Sequence, residues 1–263
     1  MQNETMNILL GRKSVRAYTD RPIPPEVKEA ILTAAMRAPT AGNMMLYSII
    51  DITDQHTKDI LAETCDRQPF IARAPLLLLF LADYQRWYDY FEACGVPELC
   101  EKDEKTFAVP EESDLILAAC DALIAAQTAV IAAESMGLGS CYIGDILENY
   151  ETHAELFRLP PLAFPVTLLC FGYPTEQQKN RKQPERYGKE FIVHRDEYRR
   201  LGRKDFDVMF RNQAENLNTN VMGGNKNPGE FIYSKKVDAA FSHEMRRSVK
   251  EALKRWMAFQ TKR

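Results

Sequence analysis

The run from residue 115 to residue 133, built almost entirely of Ala, Leu and Ile, constrains the fold of this chain more than any other feature. As a helix it makes roughly five turns without a polar stripe. It nevertheless contains Asp121 and Gln127 and follows Glu111-Glu112-Ser113-Asp114, which predicts a helix buried all round by protein rather than one bathed in lipid. Such a helix needs cover on every side. With 263 residues the chain can supply that cover as one large domain with additions.

Composition narrows the function. Charged residues make up 27% and the formal net charge is -3, so no bulk field draws nucleic acid or an anionic membrane, and neither is expected as a partner. The start, MQNETMNILLGRKSVR, lacks the apolar core and small-residue cleavage site of an export signal, and a cytoplasmic location is expected. Six cysteines, at 65, 94, 100, 120, 141 and 170, form no C-x-x-C pair and lie mostly in apolar segments, which predicts reduced thiols. Four histidines, none paired at i,i+4, leave a metal-hydrolase reading without ligands, and no metal is expected.

Around the long helix the pattern alternates. Pro24-Pro25-Glu26 opens a helix that must stop near Ala38, because Pro39 disfavours helical geometry in the residue before it. Residues 46–52 read as a strand, Asp54 caps a helix running to about Cys65, and the apolar run 76–81 reads as a central strand covered on both faces. Residues 83–112, with Tyr84, Trp87, Tyr88, Tyr90 and Phe91 ahead of a charged run, form an insertion too short for its own core; its aromatics serve either as a lid over a planar substrate or as local packing.

Met136-Gly137 ends the long helix, and the glycines of GLGSCYIG permit either close approach to a flat ligand or a plain tight turn. A strand over 166–171 and a short one around 191–193 follow, separated by a basic loop over 179–186. Residues 216–229 have the composition of a flexible loop, in which Lys226 is either a 2′-phosphate contact or a solvated lysine. Residues 241–259 form a basic amphipathic helix, docked on the body or on a second subunit, or else facing a membrane or partner.

Two segments carry chemistry. RKSVR at 12–16 sets cations and a hydroxyl about one helix's length ahead of APTAGN at 38–43, which suits an anionic ligand with a planar polar head: charge-assisted bonds hold a phosphate, and an Asn amide offers a heterocycle both donor and acceptor. Either segment alone is also what an ordinary solvated surface looks like.

RKSVR, APTAGN, GLGSCYIGDI after an Ala-rich helix, and LLCFGYP before a basic loop, in that order, resemble the FMN-dependent nitroreductase superfamily. The C-terminal FSHEMRRSVKEALKRW is similar to that of its larger, oxygen-insensitive NAD(P)H nitroreductase and flavin reductase branch. The resemblance implies an α+β sandwich, a central mixed, mainly antiparallel sheet wrapped by helices, forming a homodimer with FMN at the subunit interface. It implies an FMN-binding domain over 1–200, including the insertion, and a C-terminal extension over 201–263.

Carried over by motif, it implies that Arg12, Ser14 and Arg186 hold the FMN phosphate, with Lys13, Arg181 or Lys182 nearby, and that Arg16 sits by the flavin N1 and C2 carbonyl. It implies that Pro39, Thr40, Ala41 and Asn43 meet the ring and ribityl chain, that Gln68 bonds a flavin edge, and that Tyr142, Ile143, Gly144 and Asp145 cover one face. Gln68 and Asp145 are equally well read as loop hydrogen bonds. Met45 stands where the family often has Gln, and Asp145 where the branch often has a second Gly; an inward carboxylate there repels anionic substrates. The implied reaction passes a hydride from NADPH or NADH through the flavin to a small electron-poor acceptor such as a nitroaromatic or quinone. Other flavin chemistry, namely reductive dehalogenation or free-flavin reduction, and non-catalytic flavin binding are the alternatives.

Overall fold

A computed structural model describes residues 3–212 and 227–259. The chain divides into two compact units, residues 1–182 with 244–263, and residues 183–243. In the first unit four strands, β1 (Tyr47–Asp51), β2 (Leu76–Asp83), β3 (Gly139–Ile143) and β4 (Ala163–Gly172), form one sheet in the order β1-β2-β4-β3. All three pairings are antiparallel, with Ile49 opposite Phe80, Leu78 opposite Leu169 and Cys141 opposite Cys170. The parallel component is an isolated bridge between Ser14 and Ser140.

The apolar run of β2 is explained by what lies on each side of it. Successive side chains alternate faces, and every residue of β2 is buried. Leu77, Leu79 and Leu81 join Ile52, Leu61, Ile71 and Ile143 on one face, and Leu76, Leu78 and Phe80 join Ala122, Ala125, Ala126 and Ala129 on the other. Those alanines belong to the long helix, Glu112–Ser135. Their small side chains let the helix axis lie close over the sheet. The helix starts at a capping box in which the Glu111 N–H donates to Asp114 at 2.9 Å, and it stops where Gly137 takes φ +80°.

This helix is not buried all round within one chain. Its opposite side leaves Ile116, Leu117, Leu123 and Ile124 exposed, Ile116 by 66%, beside exposed Leu9 and Leu10 on the helix Glu4–Gly11. By length and composition it is long and apolar enough to cross a membrane; the Ala face packed on the sheet is that of a core helix.

The helix Gln55–Thr64 is capped by Asp54, which accepts from the Thr57 N–H at 2.8 Å. Where a short strand around 191–193 is expected from the sequence, residues 189–191 form a 3-10 turn and Ile192 and Val193 are exposed; no neighbouring strand among the described residues completes a ladder there. The insertion folds as two helices, Gln85–Ala93 and Val96–Lys102. Its aromatics are used in packing: Tyr88 is buried against Phe107 and Phe259, and the Trp87 indole N–H donates to the Met44 carbonyl at 2.6 Å.

The helix Ala240–Ala258 docks on the body of its own chain. Trp256 is buried and donates to the Glu111 carbonyl at 3.2 Å, Ser248 accepts from the Tyr150 N–H at 2.8 Å, and Arg247 makes a two-pronged pair with Glu151 at 2.7 and 2.8 Å. Residues 216–226 of the Gly/Asn-rich loop, Lys226 included, lie outside the described residues.

Candidate functional site

The basic segment is laid across the sheet end by backbone pairing. The Val15 N–H donates to the Ser140 carbonyl at 2.8 Å, Tyr18 bridges Pro174, and the Thr19 N–H donates to the Tyr173 carbonyl at 2.8 Å. Two glycines make room for it. A Cβ on Gly139 would lie 2.4 Å from Val15 Cγ2, and one on Gly172 would lie 2.6 Å from the Tyr18 ring. These residues face each other across β3 and β4, so the absence of two side chains at one register position opens a single channel for the segment.

The cations differ in their company. Arg12 lies 3.4 Å from the Glu134 carboxylate and donates to Ser140 Oγ at 3.3 Å, while Ser140 donates to Glu134 at 2.7 Å. Burial pushes the Glu134 carboxyl up, and Ser140 and Arg12 draw it back down. Arg12 also lies 5.8 Å from the Tyr142 ring, whose hydroxyl donates to Gln127 at 3.1 Å; burial raises the Tyr142 hydroxyl to about 12 against the opposing pull of Arg12. Lys13 donates to the carbonyls of Lys179 and Arg181, and Arg181 donates to the Ser14 carbonyl, which draws the start of the basic loop to Ser14. Arg16 is exposed, 6.0 Å from the Phe70 ring, and forms no ion pair among the described residues. Lys182 and Arg186 are exposed; Arg186 belongs to the second unit.

The loop 38–45 is held by the long helix. Asp121, 2% exposed, accepts from the Ala41 N–H at 3.0 Å and from the Leu46 N–H at 3.1 Å. Thr40 Oγ1 accepts from the Met45 N–H at 3.2 Å. Gly42, Asn43 and Met45 all take positive φ, between 51° and 57°, a curl that turns the Asn43 side chain outward with no hydrogen bond of its own among the described residues. Pro39 is exposed beside it. No hydrogen bond or ion pair among the described residues joins this loop to residues 12–16.

Gln68 follows two consecutive left-handed residues, Asp66 and Arg67. Its amide donates to the Cys65 carbonyl at 3.0 Å and to Asp145 Oδ2 at 2.7 Å, so Gln68 and Asp145 are brought together. Asp145 lies in the 3-10 turn Gly144–Leu147 that leaves β3. Ile143 is buried in the core, and toward a ligand it offers backbone; Gly144 is exposed with open space around it.

Several residues that shape the site escaped sequence reasoning. Asp121 was visible as a charge in an apolar helix, where a buried carboxylate requires donors; which donors was not legible. Glu134 and Ser140, which engage Arg12, and Glu148, buried behind Asp145, carried no spacing signal. Among the described residues no group of acidic, His or Cys side chains is arranged to hold a metal.

Fold and site define a class: an α+β protein in which a cationic, hydroxyl-bearing segment is seated on a glycine channel at the end of an antiparallel sheet, and an amide-bearing loop is held by the long helix that covers that sheet. The model of the Nitroreductase family matches residues 9–173, and the chain belongs to that family. It is 32% identical over 200 residues to an oxygen-insensitive NADPH nitroreductase of Salmonella typhimurium, covering 76% of this chain and 77% of that one. It is 33% identical over 199 residues to an FMN reductase [NAD(P)H] of Bacillus subtilis, covering 74% and 75%. Nitroreductase A of Vibrio parahaemolyticus superposes with a TM-score of 0.77 at 25% identity, covering 96% of this chain and 98% of that structure.

Proposed function

We propose that this protein is an NAD(P)H-dependent FMN oxidoreductase that reduces electron-poor small molecules such as nitroaromatics or quinones. The observation that carries the reading is the glycine channel of Gly139 and Gly172, which seats RKSVR so that Arg16 stands exposed beside Phe70 with no carboxylate partner among the described residues. An unpaired cation at the lip of a site fits an anionic, planar group. The names of the relatives, a nitroreductase and an FMN reductase, point the same way.

The residues present fit FMN. Ser14, Lys13, Arg181 and Lys182 would supply donors for its phosphate; Arg186, which the family resemblance adds to that set, belongs to the second unit. Arg12 contributes with its charge shared by Glu134. Asn43, with the backbone of Pro39, Thr40 and Ala41, offers an amide donor and acceptor to the ring and ribityl chain. Gln68 would bond a ring edge, and the end of β3 with the turn that follows it, Tyr142 to Asp145, would cover one face. When bound, FMN supplies the two-electron chemistry between NAD(P)H and the acceptor.

The protein's own part is orientation and charge. Arg16 would hold a positive charge toward the bound group, an electrostatic role that favours the negative charge reduction adds. A homodimer with the ligand at the subunit interface, as the family resemblance implies, would bring the 12–16 segment of one copy to the outward-curled loop of the other. The exposed Ile116, Leu117, Leu123 and Ile124 supply the apolar face for such a homodimer.

The purified protein is expected to be yellow, to release free FMN on denaturation, and to oxidise NADH or NADPH only when an acceptor is added. Double-reciprocal plots are expected to be parallel, since donor and acceptor would use one site in turn. A folded preparation that stays colourless after incubation with FMN refutes the reading.

A further inference from the structure

Glu148 is a buried acid that the proposed chemistry does not use. It is 5% exposed, and its Oε1 makes no hydrogen bond within the structure. It lies just past the turn that carries Asp145, within hydrogen-bonding reach of that carboxylate. Facing it are Asp145 from its own turn, Cys65 and Asp66 from the end of the helix Gln55–Thr64, and Glu244 from the C-terminal helix, the last already paired with Arg247 at 2.8 Å. His153, on the helix Tyr150–Leu156, offers no compensating charge: its ring is hydrogen-bonded to the Ile146 carbonyl and Thr64, and burial lowers its proton affinity.

Donor counting then fixes Gln68. Its amide NH2 has two hydrogens, and both go to groups that accept, the Cys65 carbonyl and Asp145. Flipping the amide would set its oxygen against two other oxygens, so the orientation is forced. Only Oε1 is left for a ligand. The pair therefore offers a ligand one amide oxygen next to a carboxylate held 2.7 Å from the amide nitrogen, with the Glu148 carboxyl within hydrogen-bonding reach of that carboxylate.

We infer that Asp145, locked by Gln68 and backed by Glu148, is a specificity-determining residue that turns away acceptors carrying a carboxylate or sulfonate and selects neutral electron-poor aromatics and quinones. This rests on the flavin-reductase reading above and names its substrate class. Below about pH 8 Glu148 keeps its proton, because burial and then Asp145, Asp66 and Glu244 push it up to about 8. Loss of that proton above this pH adds a negative charge beside Asp145, and discrimination against anions sharpens.

The test compares 4-nitrobenzoate with its neutral counterpart 4-nitrobenzamide on the FMN-loaded protein. Dissociation constants are measured at pH 7 and pH 9 by flavin absorbance without NAD(P)H, and kcat/KM is measured in parallel. Wild type is expected to favour the amide, more strongly at pH 9. Asp145→Asn is expected to shift the binding ratio toward the anion by about fivefold, the scale of one half-screened unit charge. Glu148→Gln, which keeps a donor toward Asp145, is expected to make the ratio the same at both pH values.

An unchanged ratio in FMN-loaded Asp145→Asn overturns the assignment and leaves the flavin-reductase reading standing. Wild type that binds FMN but reduces neither compound, or binds no FMN, overturns both. Titration of the Glu148 carboxyl by carbon-13 NMR in flavin-free protein gives a readout independent of turnover; a midpoint below pH 6 removes the pH-dependent part.

Discussion

Asp121 and Glu148 are both buried acids at the site, 2% and 5% exposed, and their surroundings are opposite. Asp121 receives two backbone N–H donors, from Ala41 and Leu46, one on each carboxylate oxygen. Glu148 faces Asp145, Asp66 and Glu244, and one of its oxygens has no donor. The first acid holds a loop in place by charge-assisted bonds. The second is a proton store whose charge depends on pH. Burial alone therefore says little about what a carboxylate does; the donors that meet it decide.

The largest effect that would sharpen this contrast is expected at Asp121. Asp121→Ala leaves the Ala41 and Leu46 N–H groups without acceptors beneath a curled loop, and a loss of about 3–5 kcal/mol is expected. Urea unfolding at pH 7 measures it. A loss under about 1 kcal/mol would mean that water replaces the carboxylate and that the two acids are not so different.

Glu148 comes next, with the opposite sign. Its folded-state pKa of about 8 lies above the ordinary value of 4.5. Below pH 4.5 both folded and unfolded chains hold the proton, and the group is neutral to stability. Between 4.5 and 8 the unfolded chain releases it while the folded chain retains it, so stability falls with rising pH and levels off above 8. Glu148→Gln is expected to shrink that fall by roughly 2–4 kcal/mol. Unfolding free energies at pH 4.5 and pH 9 check it, and parallel curves for the two proteins would break the comparison.

Arg16, exposed and proposed to face the ligand, contrasts with these two charges that face protein. In Arg16→Ala the FMN is expected to stay largely bound and its two-electron potential to fall by about 30–65 mV, from ~1.5–3 kcal/mol for a charged hydrogen bond. Spectroelectrochemistry reads this. An unmoved potential in loaded protein removes the electrostatic role. The smallest effect is expected at Thr40, which supplies a single neutral bond to the Met45 N–H in the loop that Asp121 anchors. Thr40→Val should cost about 1 kcal/mol in thermal unfolding, well short of Asp121→Ala.

Much of the frame was legible because it depends on local pattern. The fully apolar run of β2 could only be a strand covered twice, Asp54 could only be useful as a cap, and Gly137 stands where a helix needs a left-handed residue. The residues 191–193 misled for the same reason. Ile and Val favour strands, but a strand needs a neighbour, and none among the described residues pairs with this segment.

From the sequence by itself came the resemblance to the family, carried by the joint order of RKSVR, APTAGN, the Gly-rich turn and LLCFGYP, which the family match over residues 9–173 bears out. The charge of Asp121 inside an apolar run likewise marked that helix as one covered by protein. What only the tertiary structure decided is which partners meet across long separations. It took the pairing of β3 with β4 to show that Gly139 and Gly172 face each other and open the channel beneath Val15 and Tyr18. It took the fold to bring Gln68 to Asp145, and to set Glu148 among carboxylates 82 and 96 positions away in Asp66 and Glu244 (148 − 66 and 244 − 148). Hydrogen-bond polarity and the pKa of a buried acid are properties of a three-dimensional neighbourhood, and a linear pattern carries no distances between its ends.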